Sequence, residues 1–435
     1  MLSFFGGKNR NFCDQVSRRD VMKIGAFGFG FGAMTLADLY RIEAANDNAA
    51  AKETKTKSII NIHLNGGPSH QDMWDLKPDA PIEYRGDFNP IKTNVDGVEI
   101  CEHFPELAKM ADKYVLVRGM IGSVNEHSAS TSQTGYSQNE FRSIGGPAAF
   151  GSVVSKLQGF NDGVAPFVTD SVNIGPGYLG AKYKPFSPND AQKMLQLNRI
   201  NAERMIKRAN LLETVDDLRR DIDASGQLDA ADAFAAQAVN VVLSGKMADA
   251  LDLKKEDQKV VERYVGNRQG RLRDNERFLR ARRLVEAGVR CVSIGWGGWD
   301  THSNNFGQLK TQLPALDRGI ASLIRDFDER GMLDDVTIAV WGEFGRTPRV
   351  NNNAGRDHWP RVSAAFLAGG GLEYGQVVGS SDRIAGDADD AVHVQNVLST
   401  LYHNIGIDPQ TTQIIDPQGR PRYLLDERKP IKQII

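Results

Sequence analysis

The chain has 435 residues, 40% of them hydrophobic and 25% charged, which suits one large α/β domain with an insertion or two ordinary domains. Lys plus Arg number 53 and Asp plus Glu 55, a formal net charge of -2 with no basic run, so neither a nucleic-acid backbone nor an anionic membrane surface is an expected partner. The three cysteines, Cys13, Cys101 and Cys291, contain no Cys-x-x-Cys, which excludes a disulfide framework and zinc-finger spacing.

The N-terminus reads as an address. Ser17-Arg18-Arg19-Asp20-Val21-Met22-Lys23 precedes a Gly-, Ala- and Phe-rich apolar stretch over 24–36, with Ala44 and Ala45 beyond it. Paired arginines before a short apolar segment are the grammar of a twin-arginine export signal. Residues 1–50 are therefore expected to be signal peptide and linker, with the translocase as partner during export and a periplasmic or extracellular destination. The apolar stretch falls short of the roughly 20 residues that a stable membrane span needs.

Beyond the leader, short β-rich runs alternate with helical patterns. A strand is expected over 58–64, running into Asn65-Gly66-Gly67-Pro68, then a helix over 104–113 and a strand over 114–118. Residues 191–287 are rich in Ala, Leu, Arg, Lys, Glu and Gln with helical spacing, and read as a helical insertion of three or four helices within a domain spanning 51–435. Strands follow over 289–294, 336–340 and 363–367, with helices over 306–330 and 392–404. The pattern predicts an α/β fold with a mostly parallel central sheet and helices on both faces. In such sheets ligands bind beyond the C-terminal ends of the strands.

Those strand ends carry the chemistry-bearing residues. After the first strand comes Gly66-Gly67-Pro68-Ser69-His70-Gln71-Asp72-Met73-Trp74-Asp75. After the 289–294 strand comes Gly297-Gly298-Trp299-Asp300-Thr301-His302. After the 336–340 strand come Gly342-Glu343-Phe344-Gly345-Arg346-Thr347-Pro348 and Asp357-His358-Trp359-Pro360. His127 lies in a fourth polar segment, 125–131, so four of the chain's 8 histidines stand at strand ends beside acids. Glycine lets backbone approach a ligand closely, and carboxyls with imidazoles suit divalent ions. Taken one at a time, each such pair is more often a structural hydrogen bond than a metal ligand. Jointly, several acids at one edge repel one another unless a cation joins them.

The Ser-Arg-Arg leader, the Gly66–Asp72 string, Asp300-Thr301-His302, Gly342-Glu343-Phe344-Gly345-Arg346-Thr347-Pro348 and Asp357-His358-Trp359 resemble the sulfatase-like family catalogued as domain of unknown function fifteen-oh-one, over nearly the whole chain. That family is grouped with the alkaline phosphatase superfamily, and the resemblance implies a one- or two-metal site built on a mostly parallel sheet. It implies Asp72 as an early metal ligand, with Asp75 as its rival. Ser128, Ser130 and Thr131 are candidates for a nucleophile, and Asp300 with His302 resembles the later ligand pair. The superfamily's Asp-His-Gly is replaced here by Glu343-Phe344-Gly345, and no Cys-x-Pro-x-Arg occurs, which disfavours formylglycine chemistry.

The resulting expectation is a metal-dependent hydrolase of phosphate or sulfate esters, its substrate an anionic ester or a sulfated or phosphorylated glycan. One or two divalent ions (zinc, manganese or calcium) would be held by Asp72, Asp300, His302, Glu343 and His358, with Asp357 orienting His358 or binding directly. Arg346 would steady an oxyanion, His127 would serve as ligand, acid or base, and Ser128 or Thr131 would attack. The competing expectation is a non-catalytic metal- or carbohydrate-binding protein on the same scaffold.

Overall fold

The computed structural model describes residues 57–160, 163–188, 241 and 244–435, so the expected export leader and residues 191–240 of the expected insertion lie outside the described residues. The strands of the main sheet are, in chain order, β1 (Ser58–His63), β2 (Tyr114–Ile121), β3 (Phe167–Asp170), β4 (Cys291–Gly295), β5 (Val336–Trp341), β6 (Ser363–Gly369), β7 (Gln376–Val378) and β8 (Val392–His393). The principal helices are α1 (Ser130–Thr134), α2 (Phe150–Gln158), α3 (Lys246–Leu251), α4 (Gln258–Val265), α5 (Glu276–Glu286), α6 (Asn305–Glu329) and α7 (Val394–Asn404).

The strands lie side by side in the order β7-β2-β6-β5-β1-β4-β3, with β8 also paired to β2. All six residues of β1 are buried, as befits a central strand covered on both faces. It pairs in parallel with β4 and β5. Only β6 is reversed, antiparallel to both β5 and β2. That reversal decides the site. It brings the start of β6, just after His358, to the same rim as the C-terminal ends of β1, β2, β4 and β5.

Side chains alternate across the sheet with the period of two that strands impose. Ile60 and Ile62, Val292 and Ile294, and Ile338 and Val340 face one side, where they pack with Phe278 and Leu279 of α5 and with Leu309, Leu316 and Ile320 of α6. Ile59, Cys291, Ala339 and Trp341 face the other, against α2 and α7. On this second side the sheet also carries a polar track. Asn61 donates to the Ser132 carbonyl (3.0 Å), Ser293 donates to Gln133 Oε1 (2.7 Å), and the Trp341 indole donates to Asn61 Oδ1 (2.7 Å). In α1, a Ser-Thr-Ser-Gln-Thr helix buried throughout, Ser132 and Gln133 Oε1 are met by the sheet, and Thr134 bonds back to the Ser130 carbonyl (2.8 Å).

The expected helix over 104–113 is split into a turn at Pro105–Ala108 and a 3-10 turn at Ala111–Lys113. The Ala108 carbonyl, which should accept the Asp112 N–H to continue the helix, accepts the Asn94 N–H instead (2.8 Å), while the Asp112 N–H turns to Asn94 Oδ1 (3.3 Å). Within the described part of the expected insertion, α3, α4 and α5 are helical as read. Cys101 and Cys291 are buried and unbridged. Among the described residues, no helix is long and apolar enough to cross a membrane.

Candidate metal centre

Four loops meet at the rim. The segment after β2 delivers Asn125 and His127, and the loop after β4 delivers Asp300 and His302. The turn after β5 delivers Glu343 and Arg346. A two-residue ribbon, Gly345–Arg346 against His358–Trp359, brings the last imidazole across. The close fit needs Gly66. It sits at φ +115, where only glycine is comfortable, and a Cβ there would run into the Asp300 backbone nitrogen.

Three imidazoles surround Asp300 in one consistent orientation. His127 Nε2 lies 3.5 Å from Asp300 Oδ2, while its Nδ1 meets Glu343 Oε1 at 3.1 Å. His302 Nε2 lies 2.9 Å from Asp300 Oδ1, while its Nδ1 meets Asp357 Oδ1 at 2.7 Å. His358 Nε2 lies 3.3 Å from the same Asp300 oxygen, while its Nδ1 meets Asn125 Oδ1 at 2.7 Å. Each Nδ1 faces an oxygen acceptor; with the ring proton on Nδ1 each Nε2 presents a lone pair to a cation at the same place, and with the proton on Nε2 the ring donates to Asp300. The Nε2 atoms of His302 and His358 face each other at 3.1 Å. Donor atoms of His127, Asp300 and His358 lie within 4.8 Å of one another. Phe344 supplies an apolar wall, its ring 4.5 Å from that of His358.

The electrostatics suit ligation. Burial opposes ionisation of Asp300, but the hydrogen bonds from Arg346 and His358 outweigh it and hold the carboxyl below its usual range. The hydrogen bond to His302 does the same for Asp357. Burial keeps His358 below the ordinary imidazole value despite its bond to Asp300. An ionised Asp300 beside a His358 ring that resists protonation is the pairing a metal requires.

Glu343 stands one step back from Asp300. It is buried, and its Oε1 also takes the Gly66 N–H (2.8 Å). Its Oε2 faces His63 Nε2 at 3.5 Å, and His63 Nδ1 is met by Ser132 Oγ at 2.8 Å. Asp357 is tied to His302 and to the Asn351 amide. Glu343, read from sequence as a metal ligand, and Asp357, read as a partner of His358 or a ligand, are placed here as partners of the His127 and His302 Nδ1 atoms.

Three other expectations are redirected. Asp72 is not brought to the cluster. It is buried, and Arg356 grips it with Nε to Oδ2 and Nη2 to Oδ1, both at 2.8 Å, while Asn305 (2.8 Å) and Ser69 (2.5 Å) add to Oδ2. Its acceptor positions are filled by the protein. Asp75 is likewise enclosed, with Lys77 at 3.0 Å and Arg118 at 3.6 Å. Arg346 does not present its guanidinium to an oxyanion. It is fully buried and donates to the carbonyls of Gly66, Gly67 and Arg356 and to Asp300 Oδ1 (2.7 Å), so its donors hold the loops together.

Ser130 and Thr131 are buried within α1, and the Thr131 hydroxyl has no hydrogen-bond partner among the described residues. Ser128 is half-buried beside His127, its Oγ accepting the Ser130 N–H (3.3 Å). His70 stays with Asp72, buried, its Nε2 on the Ala385 carbonyl (3.2 Å). Trp299 is core, its indole bonded to the Trp296 carbonyl. Sequence reasoning assigned no role to Asn125, Asn351, His63 or Arg356. The signal for Asn125 was its place two residues before His127, and for Arg356 its place directly before Asp357-His358.

Residues 56–435 match the model of the family described as Protein of unknown function (DUF1501). No curated protein matches the chain. Among solved structures the chain is similar to the lipoteichoic acid synthase LtaP from Listeria monocytogenes, at 9% identity over 81% of this chain and 72% of that one, with a TM-score of 0.35. It is also similar to the PsFucS1 sulfatase from Pseudoalteromonas sp., at 12% identity over 89% and 76%, with a TM-score of 0.36. The family match covers nearly everything beyond the expected leader, and the chain belongs to the DUF1501 family.

Proposed function

We propose that the protein is an exported, metal-dependent hydrolase of phosphate or sulfate esters. The observation that carries this reading is the shared orientation of His127, His302 and His358, each with Nδ1 on an oxygen acceptor and Nε2 turned to Asp300. Two imidazole nitrogens 3.1 Å apart and an acid among three rings form a donor set suited to a divalent cation. Asp300, His127, His302 and His358 would hold it, with Glu343, Asp357 and Asn125 fixing the rings. A set rich in imidazole favours zinc over calcium. Such an ion supplies Lewis acidity toward an ester oxygen and lowers the pKa of a water bound to it.

The chain's own groups do the rest. The three rings and Asp300 are partly exposed, so an anionic ester can reach them from solvent. Glu343 keeps His127 aligned from the buried side. Arg346 stabilises ionised Asp300 from behind, and Ser128 is the hydroxyl beside His127. The alkaline phosphatase superfamily to which the sequence is similar supports ester chemistry, and the Ser17-Arg18-Arg19 leader supports periplasmic or extracellular action.

One observation favours a second reading, a non-catalytic metal-binding protein: the one arginine bonded to Asp300 spends its donors on the protein. Metal content of the purified protein, before and after incubation with zinc, manganese and calcium, is measured with turnover of aryl phosphate, phosphodiester and aryl sulfate. The expected result is bound metal and turnover of at least one ester, both lost in Asp300→Asn while the variant still melts cooperatively. Metal without turnover supports the second reading, and absence of metal in every condition overturns both.

A further inference from the structure

An open groove of about 590 Å³ adjoins the cluster, a size usual for a ligand site. It touches the proposed metal site only through Asp357; its other walls are the 347–352 segment, the 382–387 turn, Tyr84, Trp359 and Arg361. Its floor is fastened. The Trp359 indole donates to the Gly386 carbonyl (2.7 Å), tying the ribbon that carries His358 to the 382–387 turn. Arg361 stands over the Trp359 ring, 5.6 Å from its centroid, and pairs with Asp387 at 2.6 Å.

The charge balance of this groove separates it from the cluster. Arg349 and Arg361 stand against Asp357, Asp382 and Asp387. Asp387 is paired with Arg361, Asp382 Oδ1 accepts the N–H groups of Ile384 (3.2 Å) and Gly386 (2.7 Å), and Asp357 serves His302. No net positive field remains to hold a run of anionic groups. What the walls offer is two aromatic side chains, Tyr84 and Trp359, with the amide of Asn352 between charged planar groups; the Asn351 amide is taken up by the His302 carbonyl, Asp357 and the N–H groups of Asn353 and Gly355. That mixture matches a sugar ring, which presents an apolar C–H face to an aromatic and adjacent hydroxyls to paired donors and acceptors.

We propose that the groove binds uncharged sugar residues adjoining an ester-bearing one, so that the substrate is a sparsely charged glycan with its ester at the cluster. This rests on the hydrolase reading for the placement of the ester, while the groove's affinity for neutral sugar does not. Isothermal titration of the full chain, metal-loaded and after EDTA treatment, uses cellohexaose, maltohexaose and desulfated carrageenan hexasaccharide against fully sulfated carrageenan hexasaccharide. The expected result is binding of at least one neutral hexasaccharide with or without metal, weakened about tenfold by Trp359→Ala and, separately, by Tyr84→Ala. The fully sulfated hexasaccharide is expected to bind no more tightly than the neutral one. Tyr84 lies outside the ribbon, which keeps the test valid if Trp359→Ala fails to fold. Absence of neutral binding, indifference to both variants, or a clear preference for the fully sulfated chain overturns the proposal. Ester turnover without neutral binding sinks the groove and leaves the hydrolase. Neutral binding sensitive to both variants, without turnover of any ester, sinks the hydrolase and leaves the groove as a sugar site.

Discussion

Asp72 and Asp300 follow glycine-rich strand ends of similar composition, yet the protein treats them in opposite ways. Asp72 has a side chain at 0% exposure and is closed off by Arg356, Asn305 and Ser69. Asp300 has a side chain at 48% exposure and is ringed by three imidazole Nε2 atoms. A carboxyl whose oxygens are filled by protein donors is a clamp, because a further cation would have to displace bonds already made. A half-exposed carboxyl ringed by imidazoles can exchange those ring contacts for a cation. The histidines divide the same way. His70, buried beside Asp72, is turned to a carbonyl, whereas His127, His302 and His358 are turned to Asp300.

The sharpest way to break this contrast is at the closed end. Asp72→Ala leaves the Arg356 guanidinium buried without its carboxylate, and a loss of about 3–5 kcal/mol in unfolding free energy is expected. Chemical denaturation measures it, alongside metal content per folded molecule, which should not change. A variant with intact stability that no longer holds metal would return Asp72 to the ligand set. The next effect is a pH dependence. Burial holds His70 down to about 4 from an ordinary 6.5. Between those values the unfolded chain takes up a proton that the native protein refuses. The contribution of His70 is thus complete above pH 6.5 and is lost as pH falls toward 4, about 3 kcal/mol in all. In His70→Gln that dependence should vanish, so the stability gap to wild type narrows as pH falls through this window. A gap constant from pH 7 to 4 would show that His70 is no more reluctant to protonate in the folded protein.

Much of this arrangement was legible in sequence because strand interiors announce themselves. β1 and β5 are β-branched runs ending in glycine-containing loops, and the ligand-bearing loops were found by that rule. The direction of β6 was not legible, since a strand's own pattern is the same in either sense, and that direction puts His358 beside His302. The split of the 104–113 helix depends on Asn94, a tertiary partner. Within the site, residue types pointed to the rim, but roles did not follow. Whether a carboxyl meets a cation or an imidazole Nδ1 is a matter of a few ångströms, which set Glu343 one step back and gave Asp357 to His302 rather than to His358. The partners of Arg346 were not legible, because nothing in Gly-Arg-Thr-Pro shows that the guanidinium would be enclosed by the carbonyls of Gly66 and Gly67.

The orienting residues give the smaller effects and sharpen the open end of the comparison. Glu343→Gln and Asp357→Asn keep a hydrogen bond to their imidazoles but remove the charge that fixes the ring proton on Nδ1. Each should weaken metal binding 10–100-fold in competition with a chelator. Asn125 is a neutral acceptor on an exposed segment, so Asn125→Ala should cost less, about tenfold at most. The informative variant is Asn125→Asp. It would give His358 the same carboxyl partner that Glu343 gives His127 and Asp357 gives His302. If the orientation of Nε2 by a charged Nδ1 partner underlies the site, Asn125→Asp binds metal more tightly than wild type. If it binds less tightly while Glu343→Gln is neutral, the His127 and His358 rings are held by packing against Phe344, and the shared orientation is not a metal-binding device.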